Sequence, residues 1–234
     1  MKKQCPSVVN APYHRLSPDE IVNILNDRSE GKVRHVTIKD IRLEAHPHVF
    51  PEGFRSTAFL LDSIETLVKD KRLCDMGCAT GIVGLYALSK GAKKVVQADI
   101  NHFAVLNAKS NRKLHKYTSK KLQIYESDCF DMVPRQTFDY VIFNIPFHTE
   151  TFEVHDPLEY AFHDPYFKTL KKFLGQVRSY ISEHSQIIIA FSNKGDVNSL
   201  EKIFNSYGFH WKLWKVAHKE ENYDSRLYIL MDPV

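Results

Sequence analysis

Residues 72–81, Arg72-Leu73-Cys74-Asp75-Met76-Gly77-Cys78-Ala79-Thr80-Gly81, pass from a short apolar strand into a turn that carries two glycines. Glycine permits tight turning and a close approach of backbone to a ligand. A helix with Ile82, Leu85, Tyr86 and Leu88 at its apolar positions follows and stops near Gly91. The next strand, Lys94-Val95-Val96-Gln97-Ala98-Asp99, ends on a carboxylate, and a helix then runs through Asn111. Short, continuously apolar strands alternating with helices imply a mainly parallel sheet covered on both faces.

The pattern continues downstream. Strands are expected at Leu122-Gln123-Ile124-Tyr125, at Tyr140-Val141-Ile142-Phe143 and from Gln186 to Phe191. Tyr166, Leu170, Phe173, Leu174, Val177, Tyr180 and Ile181 keep helical spacing over about four turns. A helix from Val197 to Tyr207 ends at Gly208. Two strand-like runs, Phe209 to Ala217 and Tyr223 to Met231, have no helix between them and predict an antiparallel edge hairpin. The expected fold is therefore α/β: a Rossmann-like, seven-stranded mixed sheet with helices on both faces.

Upstream, helical spacing of Phe59, Leu60, Ile64, Leu67 and Val68 opens the main domain, residues 51–234. Residues 1–50 read as a small N-terminal extension. Ser17-Pro18-Asp19-Glu20 has the form of an N-cap with proline and acids in the first turn, predicting a short helix to Asp27. Val33, His35, Thr37 and then Ile41, Leu43, Ala45 suggest two strand segments around Lys39-Asp40. Pro47 and Pro51 break the chain.

Composition bounds the function classes. The chain has 234 residues, 43% hydrophobic and 26% charged, which excludes a disordered or collagenous protein. No apolar run is long enough to span a membrane, and the start lacks the apolar stretch of a signal peptide. Four cysteines do not make a disulfide framework, so a cytoplasmic setting is expected. Net charge is only +4, but Ile100 to Tyr125 contains no acid and six bases: Lys109, Arg112, Lys113, Lys116, Lys120 and Lys121. Such a stretch is either a solvated surface or a contact for phosphate or an acidic protein.

In open sheets of this kind, ligands bind at the carboxyl ends of the strands. A dinucleotide site would have Gly-x-Gly-x-x-Gly, whereas Gly77, Gly81 and Gly84 misplace the middle glycine. Asp75 at the strand end repels a pyrophosphate and favours a cation, such as the sulfonium and ammonium of S-adenosylmethionine. Asp99, followed by Ile100, can accept hydrogen bonds from both ribose hydroxyls. Asp128, followed by Cys129, can accept from an adenine amino group. Rival classes are a nicotinamide-dependent dehydrogenase and a non-catalytic nucleoside-binding module.

Phe138-Asp139-Tyr140-Val141-Ile142-Phe143-Asn144-Ile145-Pro146-Phe147 resembles the Asn-Pro-Pro-Tyr motif of class I S-adenosylmethionine-dependent methyltransferases that act on planar nitrogens of glutamine, adenine or guanine. Pro51-Glu52-Gly53-Phe54-Arg55-Ser56-Thr57 also resembles the segment that covers the cofactor in the glutamine-modifying group. The resemblance implies an N-methyltransferase whose catalytic residues are Asn144, Ile145, Pro146 and Phe147. Its cofactor residues would be Thr57, Asp75, Gly77, Cys78, Gly81, Asp99, Ile100, Asp128, Cys129 and Asn144. The implied acceptor is a protein glutamine, an RNA base or a small amine. The sequence departs from the family pattern at Ala79, in place of a glycine, and at Ile145 and Phe147, in place of proline and tyrosine. A related site could instead transfer or cyclise the aminobutyrate arm of the same cofactor.

No metal is expected, because His46, His48, His148, His155 and His163 lack a ligand framework. His148 follows the tetrapeptide and is a candidate proton acceptor. Cys74 and Cys78 are read as packing residues, and Trp211 and Trp214 as hairpin packing. The sequence does not indicate an oligomeric state.

Overall fold

A computed structural model describes residues 32–50, 55–150, 157–220 and 223–232. The expected helix over residues 17–27 and the segment 51–54 lie outside these. Strands β1 (Arg34–Ile38) and β2 (Ile41–Ala45) form a hairpin, and helix α1 (Arg55–Ile64) follows. The sheet is built from β3 (Arg72–Met76), β4 (Lys94–Asp99), β5 (Leu122–Glu126), β6 (Tyr140–Asn144), β7 (Gln186–Ser192), β8 (His210–Glu220) and β9 (Tyr223–Met231). Helices α2 (Ile82–Ser89), α3 (His102–Leu114), α4 (Lys168–Val177) and α5 (Val197–Ser206) connect them.

The seven strands are ordered β5-β4-β3-β6-β7-β9-β8. The first five are parallel; β9 pairs antiparallel with β7, and β8 antiparallel with β9, as the two late apolar runs predict. Strand order reverses between β3 and β6, the switch point at which such sheets bind ligands.

Alternation along each strand makes two cores. Cys74, Val96, Val141 and Ile187 pack with Leu170, Phe173, Leu200 and Phe204 of α4 and α5. Leu73, Val95, Ile142 and Ile188 pack with α1, α2 and α3 on the other face. Ile41 and Leu43 of β2 join this second core. The hairpin turns at Lys39 (φ 47°) and Asp40 (φ 66°), both left-handed.

Asn107 and Asn111, fully buried one turn apart on α3, hold the hairpin down. Their amides donate to the Glu44 carbonyl at 2.7 and 2.8 Å, and their carbonyl oxygens accept from the backbone of His46 and Glu44. Asn111 also donates to the Thr80 carbonyl at 2.9 Å, which ties the hairpin to the turn after β3.

Two helices are shorter than their apolar spacing predicts. The first ends at Ile64, leaving Leu67 and Val68 in the following turn. The second begins at Lys168, not near Tyr166, because Tyr166 and Phe167 both adopt φ 56°. The Asp164 carboxylate caps this helix, accepting from the Thr169 and Leu170 backbone at 2.7 and 3.0 Å. It closes at Val177, and a 3₁₀ turn carries Tyr180 into the core.

Candidate active site

The carboxyl ends of β3, β4, β5 and β6 converge on one edge. Asp75 pairs across the ladder with Gln97 on one side and Ile142 on the other. Met76 pairs with Phe143, so Asn144 is the first residue of β6 past the ladder with β3, as Gly77 is the first residue after β3. The strand ends thus bring together Asp75, the turn, Asp99 and Asn144, four of the positions read from sequence.

The turn is wound tightly. Gly77, Ala79 and Gly81 have φ of 68°, 46° and 87°. Gly77 and Cys78 donate to the Ala98 carbonyl at 2.8 and 3.1 Å, and Gly81 to that of Cys78 at 2.7 Å. A Cβ on Gly77 would lie 3.1 Å from the Phe143 ring. Ala79 bears a side chain in a left-handed conformation that costs ~1–2 kcal/mol. Its N–H is held by Asp99 Oδ2 at 2.9 Å.

Asp99 is the anchor of this end. Its Oδ1 accepts from the Asn101 backbone at 2.9 Å. Burial pushes its carboxyl above the usual aspartate range, and the N–H groups of Ala79, Asn101 and Ile100 pull against that. The carboxylate retains acceptor capacity for a further donor. Ile100 beside it is an exposed apolar residue, 47% accessible.

Asp75 is buried and accepts from Gln97 Nε2 at 2.7 Å; the same amide donates to the Gly81 carbonyl at 3.1 Å. Gln97 has room only because position 84 is glycine, where a Cβ would meet Gln97 Nε2 at 2.6 Å. The sequence reading missed Gln97; a polar residue inside a continuously apolar strand was its signal.

Asp128 lies half-buried after β5, and its Oδ2 is held by Lys172 of α4 at 2.6 Å. Lys172 also binds Asp131 at 2.6 Å, and the two carboxylates hold its ammonium firmly charged. Cys129 is buried with φ 53°. Burial pushes the thiols of Cys74, Cys78 and Cys129 up, so none is a thiolate nucleophile near neutrality. Thr57 is buried near the start of α1, toward the same edge.

The tetrapeptide leaves β6 at the centre of this edge. Asn144 is exposed, Ile145 and Pro146 are buried, and Phe147 is half-buried against the core. Ile145 donates to the Ala190 carbonyl at 3.1 Å, keeping its own carbonyl at the strand end. The following residues are laced to residues 162–166. His148 donates to the Phe162 carbonyl at 3.2 Å, Asp164 to that of His148 at 2.8 Å, and Tyr166 to that of Thr149 at 3.0 Å. Gly195, also missed, is wedged beneath: a Cβ there would lie 2.8 Å from the Phe147 carbonyl oxygen and 2.3 Å from Phe191 Cζ.

His148 is buried, with its ring 4.6 Å from that of Phe147 and 5.2 Å from that of His163. It supports the tetrapeptide from within the fold and does not present an exposed base to the edge. Among the described residues no three His, Cys, Asp or Glu side chains converge as a metal site would require. No helix of the described residues is long and apolar enough to cross a membrane.

The model of the methyltransferase small domain family matches residues 40–172. The chain is 30% identical over 173 residues to a candidate protein N5-glutamine methyltransferase of Methanocaldococcus jannaschii, with 72% of this chain and 85% of that one aligned. The fold is similar to that of a ribosomal protein L11 methylase from Lactobacillus delbrueckii subsp. bulgaricus, with TM-score 0.60, 19% identity, and 82% and 86% of the two chains covered. It is similar also to a 16S rRNA methyltransferase of T. thermophilus solved with AdoMet and guanosine, with TM-score 0.64 and 16% identity; that match covers 86% of this chain and 50% of the other. With the glycine turn, the three strand-end aspartates and the Asn-Ile-Pro-Phe segment on one edge, the chain belongs to the methyltransferase small domain family and is an S-adenosylmethionine-dependent methyltransferase.

Proposed function

We propose that the enzyme methylates the planar amide nitrogen of a protein glutamine, held by Asn144, Ile145, Pro146 and Phe147. The observation that carries the reading is the exposed Asn144 at the end of β6, beside the glycine turn. When bound, S-adenosylmethionine supplies an electrophilic methyl on its sulfonium. Asp75 sets negative charge beside its cationic end. Asp99 accepts from the ribose hydroxyls, Ile100 covers the adenine, and Asp128 with Cys129 meets the adenine edge. Gly77, Cys78 and Gly81 form the turn beside it, and Thr57 is a further cofactor residue on this reading.

An amide nitrogen is a poor nucleophile because its lone pair is delocalised. The Asn144 side-chain oxygen and the Ile145 carbonyl accept its two N–H bonds and turn the lone pair to the methyl. Pro146 fixes the backbone and offers no competing donor. Phe147 presents a π-face to the planar group. The nitrogen forms the C–N bond as the S–CH₃ bond breaks, S-adenosylhomocysteine leaves, and the nitrogen's extra proton passes to solvent. Positioning and electrostatics carry the step.

The Methanocaldococcus relative supports a protein acceptor over an RNA one. The test supplies methyl-labelled cofactor with separated protein and RNA fractions of a cell extract. Label in protein that acid hydrolysis releases as methylamine supports a glutamine amide. Label confined to RNA overturns it.

A further inference from the structure

A cluster of cations lies at the opposite end of the sheet. Helix α3 runs from the carboxyl edge at His102 to the amino edge at Leu114, about 20 Å at 1.5 Å per residue. Lys109 and Lys113 lie about one turn apart on its exposed face. Past its end, exposed Lys116, Lys120 and Lys121 lead into β5. Lys93 and Lys94 open the neighbouring β4, and Lys121 Nζ donates to the Lys93 carbonyl at 3.2 Å. Arg112 donates to the Leu122 carbonyl at 3.1 Å. Two stretches that are separate in sequence, residues 93–94 and 109–121, thus form one basic surface.

This surface is not neutralised among the described residues. Nearby Lys71 pairs with Asp139 and Lys90 with Glu65, but none of the eight bases just named takes part in an ion pair there. His115 and Tyr117 stand in the middle of the basic residues, their rings stacked at 6.4 Å with 12° between planes.

We propose that this edge docks the phosphodiester backbone of RNA, away from the catalytic edge. Lysine is depleted from the cores of protein–protein interfaces and is an ordinary partner of backbone phosphates. Among the described residues, Leu114 is the one large apolar side chain exposed within the patch, too little for the apolar centre of a protein interface. The acceptor at the far edge is a separate matter, so this inference does not depend on the glutamine reading.

The test compares the full chain with a variant carrying Lys109→Glu, Lys113→Glu, Lys116→Glu and Lys120→Glu. Binding of bulk transfer RNA and of poly-L-glutamate is followed by fluorescence anisotropy between about 50 and 200 mM salt. Unchanged S-adenosylmethionine affinity shows that the variant is folded; should it fail that control, the four Lys→Gln changes replace it. The expected result is RNA binding whose log–log salt slope is about −4 to −7, the contribution of five to eight phosphate contacts. The variant should bind RNA at least tenfold more weakly, and poly-L-glutamate should bind the wild type more weakly than RNA does. The proposal is overturned if wild type fails to bind RNA, if the variant binds it equally, or if poly-L-glutamate binds as tightly.

Discussion

On the proposed reading Asn144 and Asp99 divide the work of the edge, and single substitutions should separate them. Asn144→Ala should lower turnover by about 10²-fold or more, the scale of losing one preorganised polar group, with cofactor affinity within a few fold. Asp99→Ala should weaken cofactor binding by ~1.5–3 kcal/mol for each hydrogen bond lost, read by calorimetry. The pH dependence of that binding follows from the same carboxylate. Burial raises its pKa in the free protein, and ribose hydroxyls donate more strongly to its ionised form. Affinity should therefore fall as pH drops toward that raised pKa and be constant above it; Asp99→Asn should remove the slope. A slope retained in that variant would assign the proton elsewhere. Ala79 makes the opposite kind of prediction. At φ 46° its strain exceeds the entropy cost of glycine, so Ala79→Gly should raise Tm by about 1–3 °C.

Among the elements, α3 and β4 do more than line the sheet. Asn111 satisfies Glu44 and Thr80 at once, so Asn111→Ala leaves buried backbone groups unpaired and should cost ~1–3 kcal/mol in denaturant unfolding. Gly84→Ala should destabilise by a similar ~1–3 kcal/mol, because Gln97 is pinned between Asp75 and Gly81. Adding Gln97→Ala should recover part of that loss, a coupling that a double-mutant cycle would measure. These links explain what the sequence could and could not convey. Strand runs such as Lys94 to Asp99 are local patterns, so their order and carboxyl ends were legible. The left-handed pair Tyr166–Phe167 was not, because apolar spacing persists across a turn whose geometry is set by Asp164 and the Thr149 carbonyl. Gln97 and Gly195 matter through partners distant in sequence or around a turn, and spacing does not report such contacts.

The molecule as a whole is polarised. One edge of the sheet gathers the turn, the strand-end aspartates and the tetrapeptide, and the other gathers Lys93, Lys94, Lys116, Lys120 and Lys121. Strand direction separates the two sets, since every parallel strand begins at one edge and ends at the other. Methyl transfer to an acceptor held by Asn144 is read most directly in the nucleoside product. Purified protein is incubated with S-adenosylmethionine, with and without a protein extract, and the nucleosides are separated by mass spectrometry. S-adenosylhomocysteine that forms only with the extract, and is lost in Asn144→Ala while cofactor affinity remains, is the predicted result. Methylthioadenosine from the cofactor alone, or undiminished turnover in Asn144→Ala, would contradict it.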